Sequence, residues 1–309
     1  MVILDGTLPE PWIREEKLPG DASARSYSRL LDATNRTAIL VRYPAADRPR
    51  LAQDLEVHSW CATRGLRIPG LVDRDLEGGW AILEDLGEND ADRTLAATPA
   101  GDRVEMALRA VEPLVVLARA KTTDLPGWNA PLDAARLRWE LAGFELWYLR
   151  HRRGVAPSPD IGRWLDEIAA TLDSHPKRVC HRDYHLNNLF FLDTGEVGVI
   201  DFQDMLVGPD TYDAVSLMCE RGMPDMIGPS DRLHIMEAWA HATSTRPGWR
   251  ERWRLVRIQR GLKVLGTFSR FSTSGVSTYD RWMKSLAHAI ALELGSTGAP
   301  SMLVDLLLD

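Results

Sequence analysis

The first third of the chain alternates apolar and polar residues with a period of two, which is typical of β-strands. This alternation predicts one hairpin over residues 25–31 and 37–43, and another over residues 71–75 and 80–83. Between the two hairpins, residues 48–64 are predicted to form one helix. The amino-terminal part is therefore predicted to be a small antiparallel sheet with a single helix.

From about residue 99 onward, the apolar positions recur at helical spacing. The predicted helices cover residues 99–121, 133–153, 161–172, 232–242 and 249–271. A sheet followed by a run of helices indicates a protein of the α+β class, with strands and helices in separate parts of the chain.

Length and composition are those of an ordinary globular protein. The chain has 309 residues, of which 45% are hydrophobic and 26% charged, and this is enough for two lobes with separate cores. A net charge of −7 gives no basic surface, so no nucleic-acid partner is predicted. No apolar run approaches the roughly 20 residues of a membrane span, and the amino-terminal segment lacks the features of a signal peptide.

The cysteines indicate the compartment. Cys61, Cys180 and Cys219 form neither a close pair nor the spacing of zinc ligands. A reducing cytoplasm is the simplest interpretation of such a set.

The segment HRDYHLNNLFFLDTGEVGVIDFQD carries the candidate chemistry. Its apolar runs at residues 189–192 and 197–200 flank a polar turn and predict a β-hairpin. Asn188 enters the first strand and Asp201 leaves the second, so their side chains should meet at the open end. Two oxygen donors suit Mg²⁺ on a nucleotide triphosphate. Asp183, on the preceding loop, is predicted to orient the hydroxyl that attacks the γ-phosphate and to accept its proton.

This segment resembles the catalytic and metal-binding loops of the protein-kinase-like fold. Residues 181–188 match H-R-D-x-x-x-x-N at each specified position. Asp201-Phe202 is followed by Gln203 instead of glycine, and a short connection to residue 208 resembles the aminoglycoside phosphotransferase group. Within that group, FQD followed by GPDTYDAVSL is similar to the cell-wall recycling kinases that phosphorylate N-acetylmuramate and N-acetylglucosamine at the anomeric hydroxyl.

The resemblance implies a bilobal fold, with residues 1–86 as the nucleotide-binding lobe and residues 87–309 as the mainly helical, catalytic and sugar-binding lobe. It also implies ATP as the co-substrate and Mg²⁺ as the cofactor. The partners it implies are an amino sugar and ATP, without a nucleic acid or a membrane.

Five residues are predicted to bind ATP. Ser23 lies in the segment that resembles a phosphate-covering loop, and Arg42 takes the place of the lysine that kinases use for the phosphates. Glu56 is its predicted acidic partner, and the backbone near Glu84 and Leu86 is predicted to pair with adenine. Alternatively, Arg42 is a solvated arginine at a strand end and Glu56 one of many exposed glutamates.

A second set of residues is predicted to bind the sugar. Glu140, Phe144, Trp147 and His151 recur at i, i+4, i+7 and i+11 and share one face of an α-helix. A carboxylate flanked by aromatic rings is typical of a sugar site. The alternative is a stripe of core aromatics with Glu140 pointing outward. Asp204 is predicted either to bind a substrate hydroxyl or to cap the next turn.

The neighbouring polar residues have structural interpretations. His181, Asp183 and His185 could form a zinc cluster, but the oxygen donors of the hairpin favour a harder ion. His181 is instead predicted to tie the catalytic loop to nearby backbone, and Asp213 to anchor that loop from the start of a helix. Residues 208–209 are predicted to form a simple turn.

Three functions remain open from the sequence. The first is a sugar 1-kinase for an N-acetylated amino sugar, and the second is a kinase for an aminoglycoside, glucosamine, choline or homoserine. The third is a nucleotide-binding module without catalysis. For the lactyl carboxylate of muramate the candidate cations are Arg138, Arg152 and Arg182. Residues 218–309 are predicted to contribute only generic helices.

Overall fold

The computed structural model describes residues 8–19, 24–220, 222–295 and 297–309. Within them, the strands are β1 Trp12–Lys17, β2 Ser26–Asp32, β3 Thr37–Arg42, β4 Leu71–Asp75, β5 Trp80–Glu84, β6 Lys177–Cys180, β7 Leu189–Phe191, β8 Val197–Val199 and β9 Leu206–Pro209. The helices are α1 Arg48–Thr63, α2 Ala91–Ala97, α3 Arg103–Arg109, α4 Glu112–Arg119, α5 Ala134–Gly143, α6 Pro159–Asp173, α7 Tyr212–Cys219, α8 Met223–Met226, α9 Pro229–Ala242, α10 Trp249–Thr273, α11 Asp280–Leu294 and α12 Ser301–Leu308. The predicted α+β class is confirmed.

The amino-terminal part is a five-stranded antiparallel sheet in the order β1-β2-β3-β5-β4. Both predicted hairpins, β2–β3 and β4–β5, are present, and α1 lies between them in the chain. Strand β1 was not predicted, because its segment has one buried residue and is otherwise largely exposed, so it shows little apolar alternation.

The register of this sheet decides which side chains share a face. Tyr27 of β2 lies opposite Val41 of β3, which in turn lies opposite Ala81 of β5, so all three point the same way. These residues pack with Tyr43 and with Leu51 of α1, and we call this side the α1 face.

The opposite side of the sheet, called here the outer face, has its own core of buried apolar residues. Its members are Trp12, Leu30, Ala38, Leu40, Trp80 and Ile82. Because successive side chains of a strand alternate between faces, a shift of one residue moves a side chain from one environment to the other.

The rest of the chain forms one large helical core that also contains two short ribbons, β6–β9 and β7–β8. Helix α10 packs against α5, α6, α7 and α11. The predicted turn at residues 208–209 is wrong, since Gly208 and Pro209 belong to β9 and lie opposite Arg178 and Lys177 of β6. Among the described residues, no helix combines the length and apolar character that crossing a membrane requires.

Two predicted helices are interrupted. The helix predicted over residues 99–121 is divided into α3 and α4, with Pro113 in the first turn of α4, where a missing N–H is tolerated. The helix predicted over residues 133–153 changes from α5 to a π-helical segment, Phe144–Arg152. A π-helix has more residues per turn, so the expected spacing of one common face does not hold beyond Phe144.

Helix α10 comes unusually close to the junction of α5 and the π-helical segment. A Cβ atom placed on Gly266 would lie 2.6 Å from the carbonyl carbon of Gly143 and 2.6 Å from the amide nitrogen of Phe144. Only glycine permits this approach. The approach brings Gln259 and Lys263 of α10 against Glu140 of α5.

We expect Gly266→Ala to lower the free energy of unfolding by about 1–3 kcal/mol, because the new methyl group meets backbone that cannot rotate away. Gly162→Ala in α6 is the matched control, since its Cβ meets nothing within 4 Å. This control should raise stability by up to about 1 kcal/mol through helix propensity. Urea unfolding of both variants measures the difference, and equal effects would contradict the close approach.

Candidate active site

The β7–β8 hairpin, called here the catalytic hairpin, places Asn188 and Asp201 at its open end, as its sequence predicts. Leu189 of β7 lies opposite Val199 of β8, and the amide of Ile200 donates to the carbonyl of Asn188 over 3.0 Å. Asp201 therefore follows directly after the last paired residue. The side-chain amide of Asn188 donates to the carbonyl of Asp183 over 2.8 Å, which links the catalytic loop to the hairpin.

Asp201 adopts a left-handed backbone conformation, with φ of 62°. Such a conformation is uncommon for a residue other than glycine and turns the chain sharply away from the strand. Its side chain is 42% exposed, accepts a hydrogen bond from Nε2 of Gln203 over 2.6 Å, and lies 3.7 Å from a guanidinium nitrogen of Arg25. Gln203, which stands where protein kinases have glycine, thus holds one oxygen of this carboxylate.

The catalytic loop is fixed at its start by Asp213. The two oxygens of Asp213 accept the backbone N–H groups of His181 over 2.6 Å and of Arg182 over 3.0 Å. Burial raises the pKa of Asp213, although these hydrogen bonds and the nearby His181 oppose the rise. Asp213 lies in the first turn of α7, so it reaches the loop from a rigid element.

His181 ties the loop to the end of the hairpin. Its Nε2 lies 2.8 Å from the carbonyl oxygen of Ile200, so Nε2 carries the proton and donates it. The imidazole is buried and meets the ring of Tyr184 edge to face. Zinc receives no support, since the described part of the chain has no group of three His, Cys, Asp or Glu side chains arranged for a metal.

Three cations surround the carboxylate of Asp183. Burial by itself would raise the pKa of Asp183, but the charges of Lys263, Arg260 and Arg182 outweigh it and lower the pKa below its ordinary range. Arg260 is 2% exposed, donates to the carbonyl of Arg182 over 2.7 Å and forms an ion pair with Glu220 at 2.6 Å. Asp183 is therefore ionised and can accept hydrogen bonds.

Glu140 organises two of these cations. Its carboxylate lies 3.1 Å from Nζ of Lys263 and 3.6 Å from Arg182, and it accepts a hydrogen bond of 3.1 Å from Gln259. The residue is only 6% exposed, so the alternative in which it points outward is wrong. Burial favours the neutral acid, but Lys263 and Arg182 prevail and lower the pKa of Glu140.

Phe144 and Trp147 do not share one exposed face, and a contact of Trp147 with the sugar stays a prediction. Phe144 is completely buried and stacks on Tyr148, while Trp147 is half-buried and stacks on His151 at a centroid distance of 4.9 Å. A π-helix has more residues per turn than an α-helix, so Phe144 and Trp147, three residues apart, point in more divergent directions than they would in an α-helix. The expectation that Phe144 contacts the sugar is therefore wrong.

Asp204 contacts α1, the helix that packs on the small sheet. One of its oxygens forms an ion pair with Arg50 of α1, and the other lies 3.5 Å from Nε2 of Gln203. The sequence left Asp204 either to bind a substrate hydroxyl or to cap the next turn. The structure uses Asp204 to connect α1 to the Phe202–Asp204 turn, and its contact with a substrate stays a prediction.

The predicted pair of Arg42 and Glu56 is wrong. Arg42 lies opposite Trp80 on the outer face, where it forms an ion pair with Glu15 of β1. Glu56 is exposed on α1 and accepts a hydrogen bond of 2.6 Å from the indole of Trp128. The two residues are thus on different sides of the sheet. Ser23 lies outside the described residues.

A different cation and a different carboxylate occupy the α1 face. Arg25, which precedes β2, lies 3.3 Å from Asp54 of α1, and the hydroxyl of Tyr43 donates to the same carboxylate over 2.7 Å. Sequence reasoning missed Asp54. The available signal was its position two residues before Glu56, at the helical spacing of the buried Leu51 and Val57.

The connection between the lobes is anchored on both sides. Arg29 donates to Asp85 over 2.6 Å and to the carbonyl of Gly87 over 3.1 Å. Glu84 turns its side chain away from the α1 face and accepts a hydrogen bond of 2.8 Å from Arg67. A methyl group of Leu86 sits where a side chain on Gly198 would be, 2.7 Å from the ideal Cβ. Adenine pairing by this backbone stays a prediction.

The three arginines considered for a lactyl carboxylate are placed very differently. Arg138 pairs with Glu145 at 2.7 Å and with Asp166 at 2.6 Å, and neither partner belongs to the catalytic loop. Arg152 faces Asp280. Of these three, Arg182 alone lies beside Asp183. The expectation that residues 218–309 are generic is wrong, because α10 supplies Gln259, Arg260 and Lys263.

The available signal for α10 was a pair of polar residues, Gln259 and Arg260, set among apolar residues of the helix. Gln259 and Arg260 are fully buried among Val256, Ile258 and Leu262. Buried polar side chains in a core helix need partners, and here the partners belong to the active site.

Comparison with known proteins places the chain among phosphotransferases. A curated N-acetylmuramate/N-acetylglucosamine kinase of Pseudomonas aeruginosa is 31% identical over 290 residues, covering 86% of this chain and 82% of that protein. A kinase of the same name from Pseudomonas putida is 30% identical and covers 81% of this chain and 74% of that protein.

Solved structures show the same fold at low identity. An ADP-bound aminoglycoside phosphotransferase superposes with a TM-score of 0.61 at 14% identity, covering 97% of this chain and 96% of that one. A choline kinase from Streptococcus pneumoniae gives 0.58 at 16% identity, with 90% and 94% covered. The profile of the phosphotransferase enzyme family matches residues 15–252, which is most of the chain. The chain therefore belongs to the phosphotransferase enzyme family.

Proposed function

We propose that this protein transfers the γ-phosphate of ATP to the anomeric C1 hydroxyl of N-acetylmuramate, N-acetylglucosamine or both. The observation that carries the proposal is the joined arrangement of Asp183, Asn188 and Asp201 at the open end of the catalytic hairpin. The substrate class is supported by four curated relatives named N-acetylmuramate/N-acetylglucosamine kinase. The reaction then belongs to cell-wall recycling in the cytoplasm.

Asp183 acts mainly by orientation. Its lowered pKa makes it a weak base, and a loose phosphoryl-transfer transition state asks little of a base until late in the reaction. An anomeric hydroxyl is more acidic than an ordinary alcohol. Asp183 accepts the hydrogen bond of that hydroxyl, aligns it with the phosphorus atom and takes up its proton as the bond forms.

Asn188 and Asp201 are the residues that would hold Mg²⁺. The side-chain nitrogen of Asn188 donates a hydrogen bond to the Asp183 carbonyl, which fixes the amide and leaves its oxygen as the possible metal ligand. Asp201 keeps an exposed carboxylate there. Two hard oxygen donors fit an ion that takes its other ligands from phosphates and water, and the ion neutralises phosphate charge when bound.

Lys263 and Arg182 supply positive charge beside the acceptor hydroxyl. Both are held by Glu140, and both side chains keep about a fifth of their surface exposed, 20% and 18%. They are placed to stabilise charge that develops on the transferred phosphoryl group. Arg182 is also the arginine we propose for the lactyl carboxylate of muramate.

The reaction is tested by incubating the protein with ATP, Mg²⁺ and a panel of amino sugars, aminoglycosides, choline and homoserine. We expect a sugar 1-phosphate from N-acetylmuramate or N-acetylglucosamine, identified by the coupling of phosphorus to the anomeric proton in NMR. Transfer only to another member of the panel would replace the proposed substrate. ATP binding without transfer to any member would leave a nucleotide-binding module.

We expect Asp183→Asn to lower kcat by roughly 10²–10⁴-fold, because the amide cannot accept the proton. The affinity for ATP should stay nearly unchanged, since Asp183 faces the acceptor and not the nucleotide. Asp193→Asn, in the exposed turn of the same hairpin, is the control and should keep wild-type turnover. Comparable turnover of the Asp183 variant would remove this residue from the mechanism.

The pH dependence tests the role of Lys263. Activity requires ionised Asp183, so it is lost as the pH falls through the pKa of that carboxylate. Lys263 is the largest of the charges that lower this pKa, ahead of Arg260, Arg182 and His185. In Lys263→Met, burial is less opposed and the pKa of Asp183 rises, so the acid limb of kcat/KM should move to higher pH.

The readout is the midpoint of that limb, measured with the same substrates for each variant so that substrate titration cancels. Lys284→Met, at an exposed position of α11, is the control and should leave the midpoint in place. An unchanged midpoint in Lys263→Met would show that this cation does not act on Asp183.

A further inference from the structure

The α1 face of the small sheet carries a line of three side chains along one strand direction. Arg25, Tyr27 and Arg29 are two residues apart from one another, so they point to the same side. At one end, Arg29 binds Asp85 and the carbonyl of Gly87 in the connection that follows β5, residues 84–87, which we call the hinge. At the other end, Arg25 lies 3.7 Å from Asp201 of the catalytic hairpin.

The separation of the two arginines matches the length of a nucleotide. Four residues of a strand span about 13 Å, at roughly 3.3 Å per residue. Arg29 marks the hinge, where the purine is expected, and Arg25 marks the metal-binding carboxylate, where the phosphates are expected. A nucleotide lying along this face therefore has its triphosphate beside the guanidinium of Arg25.

Arg25 is held in place from α1. Asp54 lies 3.3 Å from its guanidinium and is fixed by the hydroxyl of Tyr43 at 2.7 Å. Both partners of the ion pair are largely buried, with 14% of the Arg25 side chain and 10% of the Asp54 side chain exposed. A partly desolvated pair is screened less by water than a surface pair. The rings of Tyr27 and Tyr43 flank the guanidinium at 6.0 and 5.9 Å.

Asp54 also connects this pair to the second lobe. Arg50, one helical turn earlier on α1, lies 3.6 Å from Asp54 and forms an ion pair with Asp204. Arg25, which precedes β2, and Arg50 of α1 thus contact the two ends of the segment 201–204. Asp54 is the shared anion of this arrangement.

Arg42 cannot fill this position. Arg42 of β3 lies opposite Ser26, the residue after Arg25. Its side chain therefore points to the outer face, where it forms an ion pair with Glu15. The segment 24–84 therefore offers Arg25 as the arginine that faces the metal-binding carboxylate.

Resting on the proposed function, we propose that Arg25 is the small lobe's binding residue for the ATP phosphates and that Asp54 is its positioning residue. The planar guanidinium can give two N–H groups to phosphate oxygens. Its contact with Asp54 keeps it aimed at the hairpin when the phosphates arrive. The pair performs on β2 and α1 the task that sequence reasoning gave to Arg42 and Glu56.

The test compares Arg25→Met with Arg42→Met, two arginines of one sheet that each pair with a carboxylate. Binding of a non-hydrolysable ATP analogue with Mg²⁺, in the absence of sugar, is measured by calorimetry. We expect the Kd of Arg25→Met to rise about 10–100-fold, as the loss of charge-assisted hydrogen bonds requires. Arg42→Met should change the Kd less than about threefold, by the size of a surface ion pair.

Steady-state kinetics separates binding of ATP from a general structural effect. In Arg25→Met the KM for ATP should rise while the KM for the sugar stays within about twofold, since Arg25 faces only the phosphates. Arg25→Lys should recover part of the affinity, because charge returns without the planar fork. Wild-type affinity in a folded Arg25→Met would overturn the proposal.

Asp54→Asn keeps the test decisive if Arg25→Met does not fold. The amide leaves the guanidinium charged but loosely held, so ATP affinity should fall by a smaller factor than in Arg25→Met, with the melting temperature recorded in parallel. An unchanged ATP affinity in both Asp54→Asn and Arg25→Lys would likewise overturn the proposal. Failure of the proposed function is distinguishable: the panel would then yield no sugar phosphate, while ATP binding would still depend on Arg25.

Discussion

Glu140, buried inside the helical lobe, holds Lys263 and Arg182 beside the carboxylate of Asp183. Charges removed from water are tolerated only when each has a partner, so this group of side chains can exist only if α5, α10 and the catalytic loop meet closely. Gly266 permits the required approach of α10 to the end of α5. The charged surroundings of Asp183 thus depend on the packing of α10 against α5.

The small sheet illustrates how strictly register assigns function. Arg42 and Glu56 are of the residue types expected for a cation and its acidic partner. Arg42 nevertheless points to the outer face and binds Glu15, and Glu56 binds Trp128, so the two do not pair. Arg25 and Asp54 form an ion pair on the α1 face, and Arg25 also lies 3.7 Å from Asp201. Alternation along a strand and rotation around a helix make a displacement of one or two residues decisive.

Several contacts join the small sheet and its helix to the catalytic hairpin. Arg50 of α1 binds Asp204, and the backbone amide of Val199 donates to the carbonyl of Arg67 over 2.8 Å. Asn129 donates to the carbonyls of Gln203 and Met205, which fixes the turn after Asp201 from the helical lobe. The turn that follows Asp201 is therefore held both by α1 and by the helical part of the chain. Because Arg50 of α1 binds Asp204, a movement of α1 would displace this turn.

The sequence by itself determined the elements whose signal is local: the two hairpins of the small sheet, the β7–β8 hairpin and, through its register, the position of Asn188 and Asp201 at one end of that hairpin. It could not determine which face each polar side chain takes, because that depends on pairing with distant strands and on packing against α1. The π-helical segment that buries Phe144 and the arrival of Lys263 beside Asp183 were also decided only by tertiary structure. Both involve contacts between α10 and residues far earlier in the chain, and such contacts leave no periodic trace in the sequence.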